Sequence, residues 1–192
     1  MSKKRLKENI MADNFLFLSK RWPLLIVLPI VSMLVYYQAL DYGFVWDDKK
    51  NIIENSYLNP PSFHTILYFW KNQFLGMYVP VPYTFWGMIE MLRSSFFPQE
   101  TNTFFFHLSN ITIHTLNGFL IFFLLLRIFK NHFAVLSATI FFLIHPLQTE
   151  TVVWISESRG LLATFFGLSA IIFYLQSVSA TYDTQYRRFL SF

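Results

Sequence analysis

Two adjacent carboxylates, Asp47 and Asp48, close the run Phe44-Val45-Trp46-Asp47-Asp48. Neighbouring carboxylates repel one another, and partial desolvation near a membrane surface adds to the cost, so the pair needs a reason to be there. One reason is catalytic: a carboxylate can take a proton from an acceptor hydroxyl as that oxygen attacks a sugar. The other is structural, an acidic loop facing water or a helix N-cap ahead of Lys49-Lys50. A second group runs from His145-Pro146-Leu147-Gln148-Thr149-Glu150 through Trp154 and Glu157 to Arg159. If Pro146 opens a helix, Glu150, Trp154 and Glu157 fall at i, i+4 and i+7 on one face. Arg159 then sits near the outer end of the next apolar run, where its paired N–H donors suit a phosphate. The structural alternative is a capped helix with its charges in water. A third group, His107, Asn110, His114 and Asn117, follows i, i+3, i+7 and i+10, a single helical stripe. Polar groups at membrane depth usually face the bundle and join helices there. Two histidines also admit a metal, although two ligands on one helix are weak grounds for one.

The elements that must position these groups belong to a very apolar chain. Of 192 residues, 54% are hydrophobic and 14% charged, where a soluble domain carries about 25% charge. A core of this size cannot hide so much apolar surface, and lipid is the solvent that fits. The absence of cysteine excludes disulfides and thiolate metal sites. The basic residues cluster beside apolar runs and form no nucleic-acid stripe. We therefore expect an all-α, polytopic membrane protein with about four spans and a long amphipathic first outer loop. The divisions are 1–21, a basic N-terminus; 22–40, the first span; 41–103, an outer loop; 104–126, the second span; 133–145, a short third; 146–159, an outer turn; 160–178, the fourth span; and 179–192, a tail. The first run is longer than the apolar region of a typical signal peptide and no A-x-A-like cleavage site follows it, so it reads as a retained anchor, with a kink expected at Pro29. Within the loop, Pro60-Pro61, Pro80 and Pro82 read as breaks. Between them, 62–74 and 83–96 read as short interfacial helices.

Charge orients the chain. The N-terminal segment, the 127–132 turn and the tail are net positive, whereas 41–103 and 145–159 are net negative. Positive segments stay on the cytoplasmic side, so both termini are expected there and both acidic segments outside. The lack of a cleavable targeting segment suits a bacterial inner membrane ahead of the endoplasmic reticulum.

The ordered motifs resemble the polytopic GT-C glycosyltransferases, most closely the protein O-mannosyltransferase-like family in which a membrane region precedes tetratricopeptide repeats. The resemblance rests on Tyr42-Gly43-Phe44-Val45-Trp46-Asp47-Asp48 with Ile52 and Asn55, and on Tyr78-Val79-Pro80 with Tyr83-Thr84-Phe85-Trp86. It continues through Phe106-His107-Leu108-Ser109-Asn110 with His114, and through His145 to Glu150 with Val153, Ser158-Arg159 and Leu161-Leu162. Many relatives have arginine where this chain has Val79. The family usually has more spans and the repeats as well, so the chain reads as the N-terminal part of such a protein, a partial GT-C fold. The resemblance implies a polyprenyl- or dolichyl-phosphate sugar as donor, a protein or glycan acceptor and a catalytic acid in the first outer loop. It implies Asp48 as general base with Asp47 in support, Arg159, Glu150 and His145 at the donor, and His107, Asn110 and His114 supporting. A divalent metal is left open, with Asp48, His145 and Glu150 as its ligands if one is held. Two other readings stand beside this one. The chain could be a non-catalytic truncated paralogue that acts as a partner membrane subunit, or a small transporter built on the polar stripe. The transporter lacks an intramembrane charge at a clear span centre.

Overall fold

The computed structural model describes residues 25–97 and 103–189, with side chains described as far as 178. The expected N-terminal segment 1–21 lies outside these, as do residues 22–24 of the first expected span. Among the described residues seven α-helices follow in order: α1 Val27–Tyr36, α2 Phe63–Ile66, α3 Pro80–Phe96, α4 Phe104–Leu126, α5 His132–Ile144, α6 Gln148–Val153 and α7 Ser158–Phe189. No strand occurs among the described residues; two isolated bridges, Leu58 to Pro61 and Phe74 to Met77, pin tight turns.

The architecture is that of an all-α helical membrane protein. Two helical stretches, Phe104–Leu126 and Ile155–Val178, are long and apolar enough to cross a bilayer. The second leaves Phe166, Ile171, Phe173 and Tyr174 exposed along its length. Water would penalise so large an apolar surface, whereas hydrocarbon accepts it. Two shorter apolar helical stretches, Val27–Asp41 and His132–Ile144, flank these. The 13 residues of α5 rise only about 20 Å, less than the ~30 Å hydrocarbon core.

Helix α4 is the hub, packed against α7, α5, α1 and α6. Three apolar clusters lie along it. Near its N-terminus, Phe106 joins Ile52, Phe69, Tyr83, Trp86 and Ile155 beneath the long loop. Midway, Ile111 and Ile113 meet Tyr36, Val152 and Leu161. Near its C-terminus, Phe122 and Leu126 meet Leu28, Val135 and Leu143. Close approach of α5 to α4 depends on Gly118, where an added Cβ would lie 2.7 Å from a Leu143 methyl.

Local chemistry explains where the elements differ from the sequence reading. Pro29 falls in the first turn of α1, where a missing N–H removes no intrahelical bond. Pro80 and Pro82 are likewise in the first turn of α3, so that helix starts at Pro80, three residues ahead of the expected 83. The stretch expected as a helix over 62–74 is shorter: α2 ends at Ile66 and a 3-10 turn, Leu67–Trp70, follows. Its start is a reciprocal cap. The Ser62 Oγ accepts the Thr65 N–H at 3.1 Å, and Thr65 Oγ1 accepts the Ser62 N–H at 3.0 Å. Helix α7 begins at Ser158 and continues to Phe189, beyond the 160–178 span.

Candidate functional site

The acidic pair sits on a tight turn. The Asp48 N–H donates to the Val45 carbonyl at 3.0 Å, and the Val45 N–H donates to Asp48 Oδ2 at 3.0 Å. This closes a four-residue turn with Trp46 and Asp47 at its centre. Trp46 has φ +47°, a left-handed conformation that disfavours a bulky side chain.

The two carboxylates have opposite fates. Asp48 is fully buried. Its Oδ1 accepts the Ser156 N–H at 2.8 Å and the Ser156 hydroxyl at 2.5 Å. Both oxygens are thus engaged by protein donors, which is how a buried carboxylate offsets its desolvation. Asp47 points outward and is exposed. The expected helix N-cap role is not what either side chain does: Asp48 makes no side-chain cap to the π-helical turn Lys49–Ile53.

A buried polar network extends from Asp48. Ser156 Oγ also accepts from Asn51 Nδ2 at 3.3 Å, and Asn51 Oδ1 accepts the Tyr83 hydroxyl proton at 2.9 Å. Trp86 Nε1 donates to Ser158 Oγ at 2.7 Å. The network therefore ties the long loop, α3 and the start of α7 together. Burial pushes the Tyr83 hydroxyl up to about 12, with Arg159 pulling it down and Asp47 pushing it up. Both charges therefore act on one hydroxyl from separate elements.

Arg159 is three-quarters buried and held on three sides. Its Nε donates to the Ser156 carbonyl at 2.9 Å, one terminal nitrogen pairs with Glu157 at 3.2 Å, and the other lies 3.8 Å from Met77 Sδ. Met77 is delivered by a turn in which Leu75 and Gly76 both have positive φ. Glycine makes the second of these inexpensive.

The remaining sequence candidates are dispersed. Glu150 is exposed, and the i, i+4, i+7 face with Trp154 and Glu157 does not form. Helix α6 ends at Val153, Trp154 turns extended at ψ 120°, and a 3-10 turn carries Ile155–Glu157. His145 accepts the Leu147 N–H at Nδ1, 3.2 Å away, and packs its ring on Phe141. Among the described residues, no group of three or more His, Asp or Glu side chains could hold a metal. Asp48, His145 and Glu150 are thus not assembled as a ligand set.

The α4 stripe bonds backbone carbonyls of other segments: one in the loop before the acidic turn, three near the ends of α5 and α6, and one in the first turn of α7. His107 Nε2 and Thr103 Oγ1 both meet the Tyr42 carbonyl, at 3.0 and 2.6 Å, just ahead of the acidic turn. Asn110 Nδ2 bridges the Val152 and Trp154 carbonyls at 3.2 Å each. His114 Nε2 and the Tyr36 hydroxyl share the Leu143 carbonyl at 3.0 and 3.2 Å. Asn117 Nδ2 reaches the Leu161 carbonyl at 3.0 Å. Asn51, Tyr83, Ser156 and Ser158 were not singled out as site residues by sequence reasoning, apart from the motif membership of Tyr83 and Ser158. Ordinary polar residues carry no local signal of a partner some hundred positions away.

The chain is similar in sequence to protein O-mannosyl-transferases. It is 30% identical over 167 residues to Protein O-mannosyl-transferase F38B6.6 of Caenorhabditis elegans, covering 80% of this chain and 23% of that protein. It is 27% identical over 146 residues to Protein O-mannosyl-transferase TMTC3 of Homo sapiens and 29% identical to that of Mus musculus, each covering 74% of this chain and 16% of the relative. The chain thus spans between 16% and 23% of the length of these curated relatives. No family profile matches it, and no solved structure matches it.

Proposed function

We propose that this relative of the protein O-mannosyl-transferases forms the donor-facing part of a membrane glycosyltransferase. The enzyme moves a sugar from a polyprenyl- or dolichyl-phosphate carrier to a hydroxyl of a protein or glycan acceptor. The activity named for its relatives makes mannose the sugar to test first. The observation that carries this reading is the division of labour at the acidic turn. Asp48 locks the turn to Ser156, leaving the Asp47 carboxylate exposed and within electrostatic reach of the same tyrosine as Arg159.

In this scheme Asp47 is the general base and Asp48 the positioning residue, the reverse of the order expected from sequence. Asp47 takes the proton of the acceptor hydroxyl, and the oxygen attacks the anomeric carbon. The bond from that carbon to the phosphate oxygen breaks. The phosphate leaves with the electron pair, and Arg159 stabilises its charge. Direct displacement inverts the anomeric centre. The carrier's hydrocarbon tail stays in the bilayer while its sugar meets water at the acidic segments, on the face opposite the cytoplasm.

The test is transfer from dolichyl-phosphate mannose to an acceptor peptide by membranes containing the chain. Asp47→Asn is expected to lower transfer by roughly 10²- to 10⁴-fold, the range for loss of a general base, while leaving thermal stability near wild type. Unchanged transfer in Asp47→Asn removes the assigned chemistry. Wild-type membranes that transfer nothing while the chain copurifies with a longer polytopic protein favour the partner-subunit reading.

A further inference from the structure

The turn that presents Asp47 presents a second group. Trp46 is 74% exposed, although its φ of +47° is one that glycine adopts far more readily. Strain of this kind persists where the surroundings over-determine it, and it gathers at ligand sites. Here the surroundings are specific. The base of the turn is closed by both Val45–Asp48 hydrogen bonds and anchored through Asp48 to Ser156. The indole meets Trp154 edge to face, with ring centroids 5.0 Å apart and planes at 87°. Trp154 is itself held through its backbone: the main-chain N–H donates to the Glu150 carbonyl at 3.0 Å and the main-chain carbonyl accepts from Asn110 at 3.2 Å. One face of a held, flat aromatic ring is therefore offered to the outside, next to an exposed carboxylate.

A pyranose ring has a matching chemistry. One face is a patch of C–H groups that stacks on an aromatic surface, and its rim carries hydroxyls that bond to a carboxylate. Binding sites commonly pair an apolar aromatic surface with a few polar groups that fix orientation. We propose that Trp46 is the stacking platform for a pyranose sugar ring beside Asp47, a role that rests on the glycosyltransferase reading of this site. The competing occupant is a lipid headgroup, since exposed tryptophans also anchor proteins at membrane interfaces. An anchor works by partitioning of the indole. It gains nothing from a left-handed backbone or from a perpendicular buttress, so the geometry favours the sugar.

Trp46→Gly is the informative variant, because it removes the ring and relieves the backbone strain together, and a thermal melt matching wild type separates a lost signal from misfolding. The full chain in lipid nanodiscs is titrated with methyl α-mannopyranoside, and saturation transfer from protein to the sugar C–H protons is followed by NMR. Wild type is expected to give a saturable signal that weakens roughly tenfold in Trp46→Gly, the equivalent of ~1.4 kcal/mol, and that Trp46→Phe largely restores. Three results overturn the proposal: no wild-type signal, an undiminished signal in Trp46→Gly, or a Trp46→Gly defect confined to liposome flotation. The transfer assay on Asp47→Asn fails or succeeds separately. Loss of stacking in Trp46→Gly with intact transfer in Asp47→Asn keeps the platform and discards the base.

Discussion

Tyr83 shows how a single buried hydroxyl reports on the site. Its O–H donates to Asn51, its ring stacks on Phe69 with centroids 4.2 Å apart, and it meets Trp86 edge-on. Burial holds the phenol protonated, moving its pKa from 10.0 to about 12. The folded value lies above the unfolded one. The stability this provides is therefore complete below pH 10 and is lost as pH rises through 12. Tyr83→Phe should melt at lower temperature than wild type at neutral pH, by ~1 kcal/mol for one neutral hydrogen bond, and the gap should narrow across the alkaline window. Circular-dichroism melts of both proteins from neutral pH to pH 12 check this; a gap that stays constant removes the assigned cause. At this scale the sequence singled out the turn but not which aspartate is buried: Asp48 is enclosed and Asp47 exposed. The pair Asp47-Asp48 is visible as a costly juxtaposition. What separates the two is Ser156, 108 positions away, and no local pattern encodes that distance.

The helical stripe on α4 was legible because its period is that of a helix, and the joining role expected of such stripes is the one it has. Its partners were not legible. Those of Leu143, Val152 and Trp154 lie where α5 and α6 stop; His145-Pro146 marks the first stop in the sequence, whereas the second comes from tertiary context more than from propensity. The break at Trp154 illustrates this. The sequence Gln148 to Arg159 carries no glycine or proline to end a helix, yet the backbone turns out there and Asn110 captures both freed carbonyls. The prolines of α3 marked a boundary that lies at the helix start and not before it: a residue that ends a helix in its middle is favoured in its first turn. Asn110→Ala should leave the Val152 and Trp154 carbonyls unpaired and destabilise the bundle by ~1 kcal/mol, in the range measured for polar contacts between membrane helices. Because Trp154 buttresses the acidic turn, the same variant should also disorder Trp46. A loss of stability without a change in the fluorescence of the Trp46–Trp154 pair, read in a chain whose other three tryptophans are replaced by phenylalanine, would place Trp154 under other control.

For the molecule as a whole, composition was enough to give the all-α membrane class, since so apolar a chain has few other solvents. Side assignment depends on a weaker signal, the alternation of net charge between segments, and one contact bears on it. Asp48 and Ser156 touch, so the long acidic segment and the turn before α7 meet at the same end of the bundle. The Asn131 cap of α5, by contrast, lies one helix length away from His145 along the chain. The chain has no cysteine, which makes single-cysteine labelling clean. Cysteines at Glu54 and Glu150, both exposed, should react with a membrane-impermeant maleimide from the same side of sealed vesicles. A cysteine at Lys130, also exposed, should react after the vesicles are opened. The positive charge at 127–132 makes that second side the one expected to be cytoplasmic. If positions 54 and 150 label from opposite sides, the Asp48–Ser156 hydrogen bonds cannot exist in the membrane. Asp47 and Arg159 would then face different compartments, and no lipid-linked sugar could meet both.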